Sequence, residues 1–557
     1  MSVSETETPD VHGAFPRLDP EQLATLRTRG TQRPAKAGEV LYREADTTCN
    51  FFVIVDGVAA IVEDLGGENE RVVSVHGPRR FLGEISLLTG QAVFFSAVMR
   101  EAGTVLEVPI ARLRQIVAED AALGELILRA FLERRTFHIT SGAGFRIVGN
   151  RFAPDTRRLR EFAARNRLPH HFIAADDDQP VVILRTEEVL RNPSNAALAR
   201  EIGLLRTPPG ADADAVCDLL VVGAGPGGLA ASVYGASEGL DTVTFDAVAI
   251  GGQAGTSSRI ENYLGFPAGL SGAELALRAE IQAEKFGARI GVPAEATGIE
   301  RQDGIFVVHF GEAGSTRART VVVATGARYR RLPVARLEAF EGVSVHYAAT
   351  PAEANLCAGD PVVVVGGGNS AGQAALFLSA HVPQVRLLIR HAELHQDMSH
   401  YLAERIEQLG NIEVLLNTEV RELVGEHVLE AVVVEDNRSG QSSALPARAM
   451  FVFIGAQPHT EWVDGLVALD EKGYVPTGHD LIGRGDDGRV PTLLETSCPG
   501  IYAVGDVRSG SIKRVATAVG EGSMAVRLVF EHLEALKRRP TSPGERAPQR
   551  AQHARAN

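Results

Sequence analysis

The sequence predicts a multidomain chain: an N-terminal β-barrel or jelly roll with helices, a short α/β unit, then two α/β dinucleotide-binding domains. Three observations carry this. Short β-branched and aromatic runs separated by glycines fill residues 15–108. Two apolar runs, Asp218–Val222 and Pro361–Val365, each enter a glycine-rich turn and leave as an alanine-rich helix. Each turn is followed by a further strand-like run, and these end at Asp246 and Arg390.

At 557 residues the chain needs three or four separate cores, and its 45% hydrophobic share is that of a globular protein. A net charge of −14 argues against general affinity for nucleic acid or an anionic membrane surface. The start MSVSETETPD lacks the apolar core of a secretory signal, and no apolar run reaches membrane-spanning length. Cys49, Cys217, Cys357 and Cys498 form no CxxC pair, so they read as reduced thiols of a cytoplasmic protein, neither a disulfide framework nor a metal site.

Residues 1–14 are polar and read as a mobile tail. Within 15–140, EVLYREAD, NFFVIVDGVAAIVED, RVVSVHG and FFSAVMREAGTVLEV read as strands. One helical stretch is expected from about Ile110 to Phe137. The segment FLGEISLLTGQ, Phe81–Gln91, resembles the phosphate-binding cassette of the cyclic nucleotide-binding domain. That resemblance implies an effector site at Gly83, Glu84 and Ile85, with Glu84 accepting from a ribose 2′-hydroxyl. The arginine with which that family neutralises the phosphate belongs within Ala92–Phe95, where the residues are Ala, Val, Phe and Phe. An enclosed phosphate without a paired cation is costly, so a barrel kept for dimerisation or docking stands beside the nucleotide effector.

Residues 141–206 read strand (Phe145–Val148), helix (Thr156–Asn166), two strands (His171–Ala174, Val181–Leu184) and helix (Asn195–Ile202). This is similar to a shortened thioredoxin or glutaredoxin fold, with Pro180 where that family has a cis-proline. Ala153, Pro154, Asp155 and Thr156 take the place of its CxxC, which leaves a spacer or docking unit without dithiol chemistry. Residues 207–217, opening TPPGADADA, have linker composition.

In GAGPGG, Gly223 permits the tight turn, Gly225 lets amides approach a pyrophosphate, and Gly228 lets the helix opened by Pro226 pack on the sheet. Asp246 is placed to accept from a ribose hydroxyl. The second turn repeats this with Gly366, Gly368, Asn369, Ser370 and Ala371. Here Arg390, followed by His391, replaces the acid, and a guanidinium suits a 2′-phosphate. The first Rossmann-like unit should therefore take a dinucleotide lacking that phosphate, and the second NADPH.

From Asp218 to about Glu534 the chain resembles low-molecular-weight thioredoxin reductase and related flavin-dependent reductases. The motifs are GAGPGG, GGQ at Gly251–Gln253, ENYLGFP at Glu261–Pro267, ATGA at Ala324–Ala327, GGGNSA at Gly366 and GDV at Gly505–Val507. The resemblance implies an FAD domain (218–336 and 453–536) split by an NADPH domain (337–452), in a homodimer. It places Gly252, Gln253, Asn262, Ala324, Thr325, Gly326, Asp506, Arg514 and Val515 around the flavin. From the residues themselves, a helix opening near Val515 after Lys513 and Arg514 would stabilise negative charge on a reduced flavin.

In that family a CxxC followed by Asp relays electrons from FAD and sits just after Gly-Val-Ser. Here Gly342, Val343 and Ser344 lead to His346 and Ala349 at the cysteine positions and Thr350 at the acid's. Alanine cannot replace a thiolate, so no disulfide relay runs there and no residue is assigned a catalytic role. The expectation is an FAD-dependent NADPH oxidoreductase, controlled by its N-terminal module, that passes hydride from NADPH to FAD and on to an unidentified acceptor. Ferredoxin, another flavoprotein, a quinone or a small molecule would suit. A non-catalytic sensor that binds both nucleotides and signals to a partner is the other reading. The basic, proline-rich tail 537–557 is expected to be disordered.

Overall fold

The computed structural model describes residues 7–538, except 47, 90, 141–143, 151–152, 185–187, 206–214, 258–259, 261, 342, 348, 350–352, 355–356, 427 and 482–489. The linker segment 207–214, Gly342 and Thr350, and the tail from 539 on lie outside the described residues.

In the barrel, the long strands Phe51–Glu63 and Ser96–Val108 pair antiparallel and are flanked by Thr31–Ala35 and Arg71–His76. Their apolar residues point inward, and the helix Ala121–Thr140 closes the barrel with Ile127 and Phe131. The tail is shorter than the sequence predicts. The amide of Thr8 donates to the Val75 carbonyl at 3.1 Å, and Glu7 pairs with the buried Arg80 at 3.1 Å. A guanidinium enclosed by the barrel needs a carboxylate, and Glu7 supplies it. The single helical stretch is also corrected: it is two helices, Ile110–Glu119 and Ala121–Thr140. Asp120 turns extended between them and its carboxylate accepts from the amides of Ala122 and Leu123 at 3.1 and 3.0 Å.

The next unit is a four-stranded sheet. Its strand Phe145–Gly149 lies between the parallel His170–Ala174 and the antiparallel Val181–Ile183, and Val189–Arg191 adds an edge absent from the sequence reading. The helix Pro154–Arg165 packs on it through Leu159 and Phe162. This unit and the barrel share one apolar cluster, which also takes in Leu277 from the helix Gly272–Lys285. Polar ties reinforce the join: Arg278 donates to both oxygens of Glu125 at 2.8 and 2.7 Å, and Asn166 donates to the Val248 carbonyl at 2.9 Å.

In both nucleotide-type domains the central strands are parallel and buried on both faces, which explains near-continuous apolar strands such as Val362–Val365, and in the first the strands Ile305–His309 and Gly298–Gln302 add an antiparallel flank. In the first, the strands Thr242–Phe245, Val216–Val222, Ser315–Val323 and Ile501–Ala503 are neighbours, with Val222 opposite Phe245 and Val323, and Val323 opposite Ala503. Gly223, Asp246, Ala324 and Gly505 therefore emerge at one sheet edge, where open α/β sheets bind ligands. In the second, Val365 sits opposite Leu388 and Val452. The chain crosses between the domains through the antiparallel pair Ala327–Tyr329 and Ala456–Pro458. Just beyond this crossing Glu341 is buried and accepts from Arg331, from the Tyr347 hydroxyl at 2.6 Å, and from Arg157 of the four-stranded unit at 2.8 Å.

Candidate nucleotide sites

The first turn is built so closely that Gly223 and Gly228 leave no room for a side chain. Gly223 has φ +108, and a Cβ there would stand 2.3 Å from the Ala324 carbonyl oxygen. A Cβ on Gly228 would stand 1.8 Å from the Gly223 carbonyl oxygen. Gly225 caps the helix Pro226–Ser237, and the GGQ loop lies against it, so that a Cβ on Gly252 would come within 2.9 Å of the Gly225 Cα. Bare backbone lines this end of the sheet, with helix amides directed at it, which is the cradle a pyrophosphate requires.

Asp246 has more to do than the sequence shows. Its carboxylate accepts from the amides of Ala224 at 2.9 Å and of Val248 and Ala249 at 3.0 Å, which ties the second strand to the glycine turn. A carboxylate has about four acceptor positions, so one is left for a ribose hydroxyl. Thr325 donates to the His459 carbonyl at 2.7 Å, Gln253 donates to the Ala327 carbonyl at 3.1 Å, and Gly326 turns at φ +66. These three knit the crossing between the domains. Asn262 is exposed.

Asp506 lies in the short 3-10 turn Gly505–Val507, one turn past the strand that the sequence extends to Val504. Burial pushes its carboxyl above the usual range, against the pull of Lys513. No described residue hydrogen-bonds its side chain, so it presents an open acceptor. The turn is fixed from below by Glu521, which accepts from the Gly505 amide at 2.6 Å and pairs with Arg508 at 2.6 Å. Glu521 was not found from the sequence, where an acid in a helix reads as a solvated face. The last helix opens at Val515, with Lys513 and Arg514 exposed before it.

The second turn repeats the design. Gly366 has φ +144, and a Cβ there would meet the Phe453 carbonyl oxygen at 2.4 Å. In front of Gly368, which caps the helix Asn369–Ser379, the nearest atom to a Cβ is 3.9 Å away, so a phosphate has room. Asn369 accepts from the Ser399 amide at 2.7 Å, Ser370 is exposed and Ala371 is buried under the turn. Arg390 is exposed just past the strand Val385–Leu388, and its Nε donates to His391 at 3.2 Å. Its terminal guanidinium nitrogens bond no other described residue.

The vacated relay position has no redox chemistry. His346 is buried against Phe451, and burial lowers its pKa to about 4, so it is neutral near pH 7 and a poor proton donor. Cys357 is buried and donates to the Glu353 carbonyl, and burial pushes its pKa up to about 11. It packs as a small apolar residue.

The barrel cassette is filled from within. Gly83, Glu84 and Ile85 lie at the barrel interior, but Glu84 already accepts from the Phe94 amide at 2.6 Å and faces Arg135 at 3.6 Å. Arg135 comes from the closing helix, lies 4.6 Å from the Phe94 ring, and donates to the Arg167 carbonyl at 3.3 Å. The cavity left beside Glu84 is about 10 Å³, room for one water, where a small-molecule ligand needs about 300 Å³ or more. A cyclic nucleotide does not fit these residues as they stand. Millimolar cyclic AMP or cyclic GMP is expected to leave the melting temperature unchanged. A ligand at a hundred times its Kd would add about 2.7 kcal/mol and a shift of degrees, which would show that the cassette opens.

Two glycine turns, each opening a helix at the end of a parallel strand, and a two-strand crossing between their domains form the scaffold. The chain belongs to the pyridine nucleotide-disulphide oxidoreductase family, whose profile matches residues 217–522, and it is an oxidoreductase of thioredoxin reductase-like architecture. Residues 32–120 match the cyclic nucleotide-binding domain. Among relatives, the chain is 33% identical over 323 residues to a thioredoxin reductase of Treponema pallidum, covering 58% of this chain and 98% of that one. It is 31% identical over 316 residues to a 34.2 kDa protein in a rubredoxin operon of Clostridium pasteurianum, covering 57% and 97%. Thioredoxin reductase of T. acidophilum superposes with a TM-score of 0.52 at 30% identity, over 57% of this chain and 99% of the other. Family membership implies FAD and a nicotinamide dinucleotide as the two nucleotides. Among the described residues no helix is long and apolar enough to cross a membrane.

Proposed function

We propose that the protein is a cytoplasmic, homodimeric NADPH oxidoreductase that holds FAD at the first glycine turn and passes electrons to an acceptor without a protein disulfide. The observation that carries this reading is the pairing of two intact cradles with a relay site occupied by His346 and Ala349. Bound FAD supplies the chemistry, taking a hydride from the nicotinamide and delivering its electrons onward. The protein holds and polarises. Gly223, Gly225 and Gly252 admit the pyrophosphate, Asp246 and Asp506 offer acceptors to hydroxyl groups, and the amides at Val515 with Lys513 and Arg514 favour negative charge on the ring system. Without thiols at the relay position, the acceptor meets the flavin directly, as a ferredoxin, another flavoprotein, a quinone or a small molecule would. The barrel and the four-stranded unit act on the reductase through packing and ion pairs.

Anaerobic titration tests this. NADPH is expected to bleach the visible flavin band, and NADH to do so only at much higher concentration. Arg390→Ala should raise the NADPH concentration needed by about tenfold or more and leave NADH unchanged, because only the 2′-phosphate loses its partner. Flavin that stays oxidised with both nucleotides would favour the sensor.

A further inference from the structure

Beside the flavin-holding turn is a recess of about 340 Å³ whose lining is at odds with the charge of the chain. The protein carries a net −14, yet Arg330, Lys472, Arg508 and Lys513 line this recess against Asp470 alone. The acid is already engaged: Asp470 accepts from the Ser509 hydroxyl and the Lys472 amide at 2.8 Å and from the Tyr474 amide at 2.9 Å. Arg508 is committed to Glu521 and forms a fixed wall. Lys513 donates to the Tyr474 hydroxyl at 3.1 Å, and the one carboxylate it acts on, Asp506, lies outside the recess lining. Arg330 and Lys472 are exposed; Arg330 has no ion pair among the described residues, and Lys472 shares only the already engaged Asp470. The Ser511 hydroxyl on the same wall is enclosed and makes no hydrogen bond, an unspent donor at the recess. Arg330 and Gly455 are held together by a 2.8 Å backbone bond at the crossing between the domains, and the segment 508–513 leads straight from Asp506 to the helix at Val515.

We propose that this recess binds a small polyanion, a molecule carrying two or more carboxylate or phosphate groups, next to the ring-holding end of the flavin domain. Concave shape and a volume at the lower end of small-ligand sites favour a small molecule over a protein surface. Two sources share this chemistry: a separate anionic substrate or acceptor, and the phosphates of the nicotinamide dinucleotide. The lining contains none of the residues of either glycine turn and shares only Lys513 with the ring-holding end, which favours a separate ligand lying beside the ring. Only its part in turnover rests on the oxidoreductase reading. Binding itself does not.

The test is calorimetric titration of the full-length protein with citrate, with inorganic pyrophosphate and with NADP+, at about 50 mM salt so that screening is modest. Citrate and pyrophosphate are expected to bind at one site. Arg330→Glu with Lys472→Glu should weaken both about tenfold or more while NADP+ affinity stays unchanged. Both side chains are exposed, so an unchanged melting temperature is expected, and Arg330→Gln with Lys472→Gln serves if the charge reversal does not fold. Absence of binding to the unaltered protein, or equal binding by the variants, overturns the site. A parallel fall in NADP+ affinity overturns the separate ligand and gives the recess to the dinucleotide. Failure of the oxidoreductase reading registers elsewhere, as flavin that NADPH does not bleach.

Discussion

Gly228→Ala is expected to give a colourless protein, destabilised by about 3 kcal/mol. The added methyl would stand 1.8 Å from the Gly223 carbonyl oxygen, and that carbonyl is part of the turn itself. No flexible side chain can yield there, so either the helix lifts off the sheet or the turn opens, and both destroy the pyrophosphate cradle. Gly520→Ala is the control. It lies in the last helix, with no neighbour within 4 Å of a Cβ, and should be neutral or slightly stabilising, by up to about 1 kcal/mol, since alanine is the better helix former. Visible absorbance of the purified variants and urea denaturation measure both effects. A yellow, stable Gly228→Ala protein would refute the cradle.

Glu341→Gln should cost about 2–3 kcal/mol at neutral pH, because it leaves Arg157 and Arg331 without their shared carboxylate at a buried position. Burial alone would raise the Glu341 pKa, but hydrogen bonds from Arg331, Tyr347 and Arg157 outweigh it and hold the pKa below its ordinary 4.5. A depressed carboxyl stabilises the fold in its ionised form. The stability difference between wild type and variant should therefore be full above about pH 4.5 and shrink as pH falls through the folded value. Denaturation curves at pH 7, 5 and about 3.5 read this directly. A difference that persists undiminished at the lowest pH would mean that packing, and not the charge, holds Glu341 in place.

What could be read from the sequence followed from local necessity. The two glycine turns were legible because a tight strand-to-helix joint with a backbone close by admits no other residue at Gly223, Gly228 and Gly366. The parallel strands were legible because burial on both faces leaves uninterrupted apolar runs. What escaped depended on partners far apart in the chain. Nothing around Arg135 says that it fills the place beside Glu84, 51 residues away, and nothing around Arg157 says that it reaches Glu341, 184 residues away. Asp246 is legible as the polar end of an apolar strand, but its bonds to three amides cannot be counted without the loop that follows it. The break at Asp120 was hidden because Leu113, Ile116, Leu123 and Ile127 keep a common apolar face across it.

The apolar cluster that joins the barrel, the four-stranded unit and Leu277 sets an order of events at the ribosome. The first two units are fully synthesised by about residue 205, but the surface that Leu277 and Ile281 cover stays open until the helix Gly272–Lys285 emerges. The flavin sheet then waits longer still, for the strand Ile501–Ala503 from the far end of the chain. Nascent chains halted between these points present a sticky face that the finished molecule does not have. A fragment ending near residue 205 should accordingly aggregate or recruit a chaperone, whereas one carried through residue 538 should not.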